Sequence, residues 1–449
     1  MSTSDQDEEK KAARFGEIAS EMHSFYRGKM ETLPKCSVRS MDDFSVWYSP
    51  GVAAPCLEIV QNPDLVYDYT SKWNTIAVIS DGSRVLGLGD IGPKAGLPVM
   101  EGKAMLYKYL GGVDAVAIML NTKDPDEIIH TVLTLQPSFG GINLEDLSQP
   151  KCFRILETLR NEAEIPVWHD DQQGTATVTL AGLLSSLKVV GKNIEDLSIA
   201  FIGVGAANVA CARLIFARGA KPENCRMVDS KGILGDFRKD IRLRRMEFPE
   251  KWQLCQSTNT EGRQGGIAEA LRGTDVVISL SQPGPGRIQP EWVRSMADQP
   301  IVFACANPTP EIWPWEAKEA GAAIVATGRS DFPNQVNNSL CFPGIFRGAL
   351  DVRARTITDS MCFAAADALV LFMGDQLGPE HLLPTMEDWE VFVKIAVAVG
   401  LEAQKAGVAR LTRTEEELEK SARDIIIRSR NLTQTMMANG SIKEPPCTI

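Results

Sequence analysis

Five short apolar runs, at residues 198–202, 225–228, 275–280, 301–304 and 323–326, alternate with segments of helical character. This alternation constrains the chain more than any other feature. Runs too short for helices, separated by helical segments, form parallel strands joined by crossover helices. The expected product is a Rossmann-type doubly wound sheet. The first run leads directly into Gly203-Val-Gly205-Ala206-Ala207-Asn208 and a helix-like stretch to Arg218. Strand, glycine turn and helix in that order make an otherwise weak Gly-x-Gly informative. Gly203 permits the tight turn, Gly205 lets a pyrophosphate approach the backbone, and the helix start at Ala206 and Ala207 favours its charge. Asn208 occupies the third glycine position, so close helix–strand contact must be made differently. The next run leads to Asp229, placed to bind a ribose hydroxyl.

These residues point to a dinucleotide. Asp229 repels a 2′-phosphate, yet Lys231 follows it, and Arg238, Lys239, Arg242, Arg244 and Arg245 lie beyond. A solvated helix face explains that basic stretch as readily as a phosphate site. The choice between NADP and NAD stays open, with NADP favoured. A net charge of −11 argues against nucleic-acid or anionic-membrane partners. An anionic substrate would then need a local Lys, Arg or metal cation. No apolar run reaches bilayer length, the first 11 residues lack the apolar core of a signal peptide, and the ten cysteines are scattered singly. Reduced thiols in a cytoplasmic enzyme are the expectation.

A second α/β texture precedes the first, with apolar runs at 75–80, 115–120 and 165–168. Two acidic pairs follow strand-like runs: Glu145-Asp146 after 140–144, and Asp170-Asp171 after Val167-Trp168-His169. Carboxylates beyond strand ends converge on one crevice and repel unless a cation neutralises them. Oxygen ligands without cysteine suit Mg²⁺ or Mn²⁺. Either pair alone could cap a helix instead. Lys103 opens a helix-like run, where its charge gains nothing from the helix dipole, and Tyr48 falls in the turn Trp47-Tyr48-Ser49-Pro50-Gly51.

Taken together, the chain resembles the malic enzymes in their shorter prokaryotic-type form. The resemblance rests on Tyr48-Ser-Pro-Gly-Val-Ala53, Asp81-Gly-Ser-Arg84-Val-Leu-Gly-Leu-Gly-Asp90, Gly96-Leu-Pro-Val-Met-Glu-Gly-Lys103, Ile142-Asn-Leu-Glu145-Asp146, Asp170-Asp171-Gln-Gln-Gly-Thr-Ala176, Ala306-Asn307-Pro308-Thr309 and Asn337-Asn338. It implies metal ligation by Glu145, Asp146 and Asp171. It implies Lys103 as base at the C2 hydroxyl, Asp170 as its tuning carboxylate and Tyr48 as the acid at the enol carbon. Arg84, Asn307, Asn337 and Asn338 would position substrate, with Asn307 also near the dinucleotide. The implied activity is oxidative decarboxylation of L-malate to pyruvate and CO₂, in a homodimer or larger homo-oligomer. Lys103 must be partly neutral to accept a proton, so the nearby cation should lower its pKa. Ser49, Trp47 and Asn208 depart from the family pattern. A related acid such as tartrate, or a non-catalytic dinucleotide sensor, are the alternatives.

The expected organisation is a substrate and metal domain over residues 1–170 with a helical start, a nucleotide domain over 171–350, and a helical segment over 351–449 that packs back. Phe15, Ile18, Met22, Phe25 and Tyr26 predict an amphipathic helix within residues 8–30, and residues 414–437 a charged one.

Overall fold

The computed structural model describes residues 3–447. The strands β1 (Thr75–Ser80), β2 (Asp114–Met119), β3 (Gly141–Leu144) and β4 (Val167–His169) form one parallel sheet in the order β2-β1-β3-β4. A second sheet contains β5 (Ile199–Ile202), β6 (Arg226–Asp229), β7 (Gly232–Ile233), β8 (Val276–Ser279), β9 (Ile301–Ala304) and β10 (Ile324–Thr327), ordered β10-β9-β8-β5-β6-β7. The five expected runs are its parallel strands, so the α/β fold with a doubly wound nucleotide sheet is present. The sixth strand, β7, is antiparallel to β6 and only two residues long. No apolar run announces it, because a two-residue strand is too short to show one, although Ile233 is buried.

Parallel strands need both faces covered, and β1 and β5 divide their side chains accordingly. Ile76 and Val78 from β1, with Ile199 and Phe201 from β5, enter one continuous core. Ala77 and Ile79 face a separate cluster, and Ala200 and Ile202 face a third. The shared core also takes Leu180, Leu183 and Leu187 of the helix Thr175–Val190, and the C-terminal helices. Phe342–Asp351, Asp359–Met373, Glu390–Lys405 and Glu415–Ala438 pack on one another and on Gly92–Gly111. Thr414 and Glu417 cap the last of these reciprocally, and Glu415 to Glu417 complement its dipole.

The expected N-terminal helix spans Thr3–Tyr26, and Phe15, Phe25 and Tyr26 on it are exposed. Lys103 does not open a helix. It lies in the second half of Gly92–Gly111, which begins eleven residues earlier through Gly92 and Pro93 and which the intervening glycines and Pro98 hide from periodicity. Among the described residues no helix is long and apolar enough to cross a membrane.

One buried polar knot joins the layers. Arg347, fully buried on Phe342–Asp351, donates to Asn74 before β1 and pairs with Asp351 at 2.8 Å. Arg347→Met leaves Asp351 without its charge partner and is expected to cost about 3 kcal/mol, read as a lowered urea midpoint. An unchanged midpoint would remove this pair from the contacts that hold the layers together.

Candidate active site

The site begins with strand register. β3 and β4 are parallel neighbours with Leu144 beside His169, so the acids after each strand leave the sheet at one edge. Asp146 adopts a left-handed backbone with φ +54°, which costs a non-glycine residue roughly 1–2 kcal/mol. Hydrogen bonds hold it there: Arg84 N donates to the Asp146 carbonyl at 3.0 Å, and Asp146 N donates to Asp171 Oδ2 at 2.8 Å. One carboxylate oxygen each from Glu145, Asp146 and Asp171 lies within 4.8 Å of the others.

Asp170 turns the other way, into the interior. It is fully buried, accepts from Trp168 Nε1 at 2.9 Å and pairs with Lys103 Nζ. Lys103 Nζ also lies 2.7 Å from Glu145 Oε1 and 4.5 Å above the Phe342 ring. Asn143 donates to Glu145 Oε2 at 2.8 Å and accepts from the Tyr107 hydroxyl at 2.7 Å. A single π-type turn, Asp170–Gly174, aims the acids before the following helix starts. Neither Asp170 nor Asp171 caps that helix. Gly174 is required: a Cβ there would lie 1.9 Å from Asp170 Oδ1.

Burial, then mutual repulsion, sets the electrostatics. Desolvation pushes Glu145 well above the carboxylate range despite Lys103, and burial with Asp171 pushes Asp146 up to about 8. Burial alone would lower Lys103, but Asp170, Glu145 and Asp171 overcome it and raise Lys103 above its ordinary value. The protein groups alone thus hold the proton on Lys103, and the expected lowering rests with the cation. A cation among Glu145, Asp146 and Asp171 would withdraw two of the charges that hold the proton on Lys103. The donor set fits such a cation: Asp146 Oδ2 is buried without a hydrogen-bond partner, and the Asp171 side chain is 35 % exposed. Burial lowers His169, and its Nδ1 lies 3.5 Å from Asp171 Oδ2.

The remaining candidates divide. Asn338 Cβ borders Gly174, against Asp170. Arg84 is exposed at the rim, its Nη1 bonded to Leu86 O at 2.6 Å. Gly87 of the same loop lies against the Asn307 carbonyl, bringing the two sheets' loops together, and the Asn307 side chain rests against Gly328. Asn337 serves its own turn, accepting from Ser339 N at 2.9 Å. Tyr48 is 74 % exposed, and no hydrogen bond or ring contact ties its side chain to this cluster.

On the second sheet, Gly203 has φ +96°, and a Cβ there would lie 2.8 Å from Leu280 O. Open space surrounds the Cβ position of Gly205, as close approach of a phosphate requires. The helix Ala206–Ala217 starts at once, presenting Ala206 and Ala207 at its N-terminus. Asn208, expected at the ligand, is instead fully buried and faces inward. Its amide donates to Ile202 O at 2.8 Å and Gly203 O at 2.9 Å, tying helix to strand where glycine would simply allow contact. At the end of β6, Asp229 accepts both Arg238 Nη groups at 3.0 Å and pairs with Lys251. Burial would raise this carboxyl, but the two cations lower it. Lys231 flanks a cavity of about 230 Å³ together with Val204, Asp229, Arg244 and Lys251. The basic stretch is thus not one solvated face, since Arg238 is buried.

Residues 27–160 match the family model "Malic enzyme, N-terminal domain", and residues 172–404 match "Malic enzyme, NAD binding domain". The chain belongs to the malic enzyme family. The bifunctional malic/malolactic enzyme of Bacillus subtilis is 46 % identical over 416 residues, covering 92 % of this chain and 98 % of that one. The NAD-dependent malic enzyme of Geobacillus stearothermophilus is 48 % identical, covering 85 % and 78 %. The crystal structure of Entamoeba histolytica malic enzyme superposes with TM-score 0.94 at 49 % identity, covering 97 % of this chain and 91 % of that one.

Membership in the family makes the chain an oxidoreductase with a nicotinamide-dinucleotide domain. Sequence reasoning missed Asn143, Tyr107, Trp168, Phe342 and Lys251 around its sites. Each reads as ordinary core or surface by type, and only Asn143, two residues before Glu145 in a strand, carried a signal.

In the metal-free protein the folded state keeps protons on Asp146 that the unfolded chain has already released. Stability should therefore fall as pH rises from the ordinary carboxylate range, about 4, through about 8. Thermal melts should show a Tm gain from Mn²⁺ that is larger near pH 8 than near pH 6. A gain independent of pH would disprove the assignment of a cation to these acids.

Proposed function

We infer that the chain catalyses oxidative decarboxylation of L-malate to pyruvate and CO₂ with reduction of a dinucleotide. The single observation that carries this reading is the buried Lys103 bonded to Asp170 and Glu145, beside the Glu145–Asp146–Asp171 cluster. Mg²⁺ or Mn²⁺ held by those three acids would supply Lewis-acid polarisation at C2, and the bound dinucleotide would accept the hydride. Lys103 takes the C2 hydroxyl proton, and Asp170 steadies the resulting ammonium. Arg84, Asn307 and Asn338 orient the substrate carboxylates, with Asn337 shaping the loop beneath. Tyr48 returns a proton to C3 after CO₂ leaves. In this reading residues 1–170 bind substrate and metal, 171–350 bind dinucleotide, and 351–449 join them. Ten unpaired cysteines suit a reducing, cytoplasmic setting.

We further propose NADP as the preferred cofactor. Arg238 and Lys251 already occupy Asp229, and Lys231, bonded to Asp240 at 3.3 Å, and Arg244 stand on the same rim. A 2′-phosphate gains from that rim, whereas a ribose diol finds its usual acceptor engaged.

Lys103→Ala should lower turnover of malate by at least about 100-fold, measured by absorbance of reduced dinucleotide and by CO₂ release. Near-normal turnover in a folded variant would remove Lys103 from the chemistry. Lys231→Ala should raise KM for NADP about tenfold, as loss of one charged contact of about 1.4 kcal/mol does, with little change for NAD. Equal effects on both would end the NADP assignment.

A further inference from the structure

Asp81 is a buried carboxylate that the metal cluster leaves unused. It follows β1, which pairs with β3 through Ile79 and Leu144, so it leaves the sheet at the edge that carries Glu145. Glu145, Asp146 and Asp171 converge without it. Its Oδ1 accepts from Ser83 N at 2.9 Å, and its Oδ2 pairs with Lys151 Nζ. Lys151 is the first residue of the helix Lys151–Glu162, where the helix dipole opposes a cation. Its side chain is nevertheless only 14 % exposed. Desolvation of a buried ion pair offsets most of the attraction within it, so stability alone does not account for the placement.

The pair closes a ladder between two segments that carry the site, residues 81–86 and 146–151, with contacts running in opposite directions along them. Lys151 meets Asp81, and Ser148 N donates to Ser83 Oγ at 2.9 Å. Arg84 N then donates to the Asp146 carbonyl at 3.0 Å, and Leu86 N to Asp146 Oδ1 at 3.4 Å. Asp146, with φ +54°, and Leu86, with φ +46°, both hold left-handed backbone. Non-glycine residues keep that conformation only where the surrounding structure over-determines it. The ladder is that structure. Lys151 also donates to the Lys123 carbonyl at 3.3 Å, and Lys123 Nζ pairs with Asp90. One lysine therefore sits where both ends of the loop that carries Arg84 are tied.

Resting on the malate reading, we propose that Asp81 and Lys151 are positioning residues for the reaction. Their ion pair sets the register of the ladder, and with it the aim of the Asp146 carboxylate at the metal and of Arg84 at a substrate carboxylate. Neither group reaches the reacting atoms, so proton transfer at Lys103 is left to Lys103 and Asp170. Without the ammonium, the Asp81 charge is buried and unpaired, and it draws residues 82–84 toward water. The rungs at Ser83 and Arg84 then part, and Asp146 loses the bonds that hold its backbone. Metal and substrate binding weaken together because Arg84 N and the Asp146 carbonyl share one hydrogen bond. Outer groups that orient metal ligands in this way are worth about 10–100-fold in metal affinity.

The test compares Lys151→Met, Asp81→Asn and Lys151→Arg with the wild-type chain. Free Mn²⁺ is titrated by electron paramagnetic resonance without malate, and steady-state kinetics follow with malate and NADP. Lys151→Met and Asp81→Asn should each weaken Mn²⁺ binding about tenfold or more. KM for malate should rise by a similar factor, while kcat changes less than about threefold and its pH profile stays in place, because Lys103 is untouched. Lys151→Arg keeps the charge and should restore most of the Mn²⁺ affinity. Lys123→Ala breaks only an exposed pair of the same loop and should leave Mn²⁺ affinity within about twofold. If Lys151→Met does not fold, Asp81→Asn decides, since it buries no unpaired carboxylate. Folded variants that lower only the urea midpoint, with Mn²⁺ binding and KM unchanged, overturn the proposal. So do a loss confined to kcat and an equal loss in Lys123→Ala. A wild-type chain that releases no CO₂ from malate refutes the malate reading alone, because the Mn²⁺ titration contains no malate.

Discussion

One ammonium group buried among carboxylates is the interaction on which the rest of this site depends. Lys103 Nζ reaches Asp170 and Glu145 at once, in surroundings where an unpaired charge would cost several kcal/mol. The pairing is tolerable only because Trp168 and Asn143 satisfy the remaining acceptors of the same carboxylates. Remove the register of β3 and β4, and the acids no longer share an edge with the lysine.

The same arrangement is electrostatically unfinished. Three acids converge there, burial raises the proton affinities of Glu145 and Asp146, and Asp146 Oδ2 has no partner. A cation held among these acids would relieve that repulsion and, by withdrawing negative charge, would loosen the proton on Lys103. In the proposed reaction, metal affinity and acid–base chemistry would therefore be coupled through one cluster.

Packing explains how a site built on one sheet meets a cofactor bound on the other. A single core takes one face of β1 and one face of β5, so the two sheets cannot reorient independently without opening it. Gly87 against the Asn307 carbonyl is the contact at the mouth that this shared core makes possible. Asn208 shows the same economy locally, since a buried amide replaces the bare contact of a glycine.

Much of this was legible in the chain itself. Periodicity marks β5, β6, β8, β9 and β10, and position after strands marks Glu145, Asp146, Asp170 and Asp171, because strand ends and charge are local properties. The placement of Lys103 in its helix, the two-residue β7, the inward turn of Asn208 and the capture of Asp229 by Arg238 and Lys251 were not. Those depend on which neighbours pack against each group, from Gly203 five residues before Asn208 to Asp170, 67 residues after Lys103, and no local pattern encodes that packing. Sequence alone determined which groups could carry charge and where strands end. Tertiary structure decided which charges meet and which stay protonated, because desolvation and pairing are set by what packs around a group rather than by what precedes it.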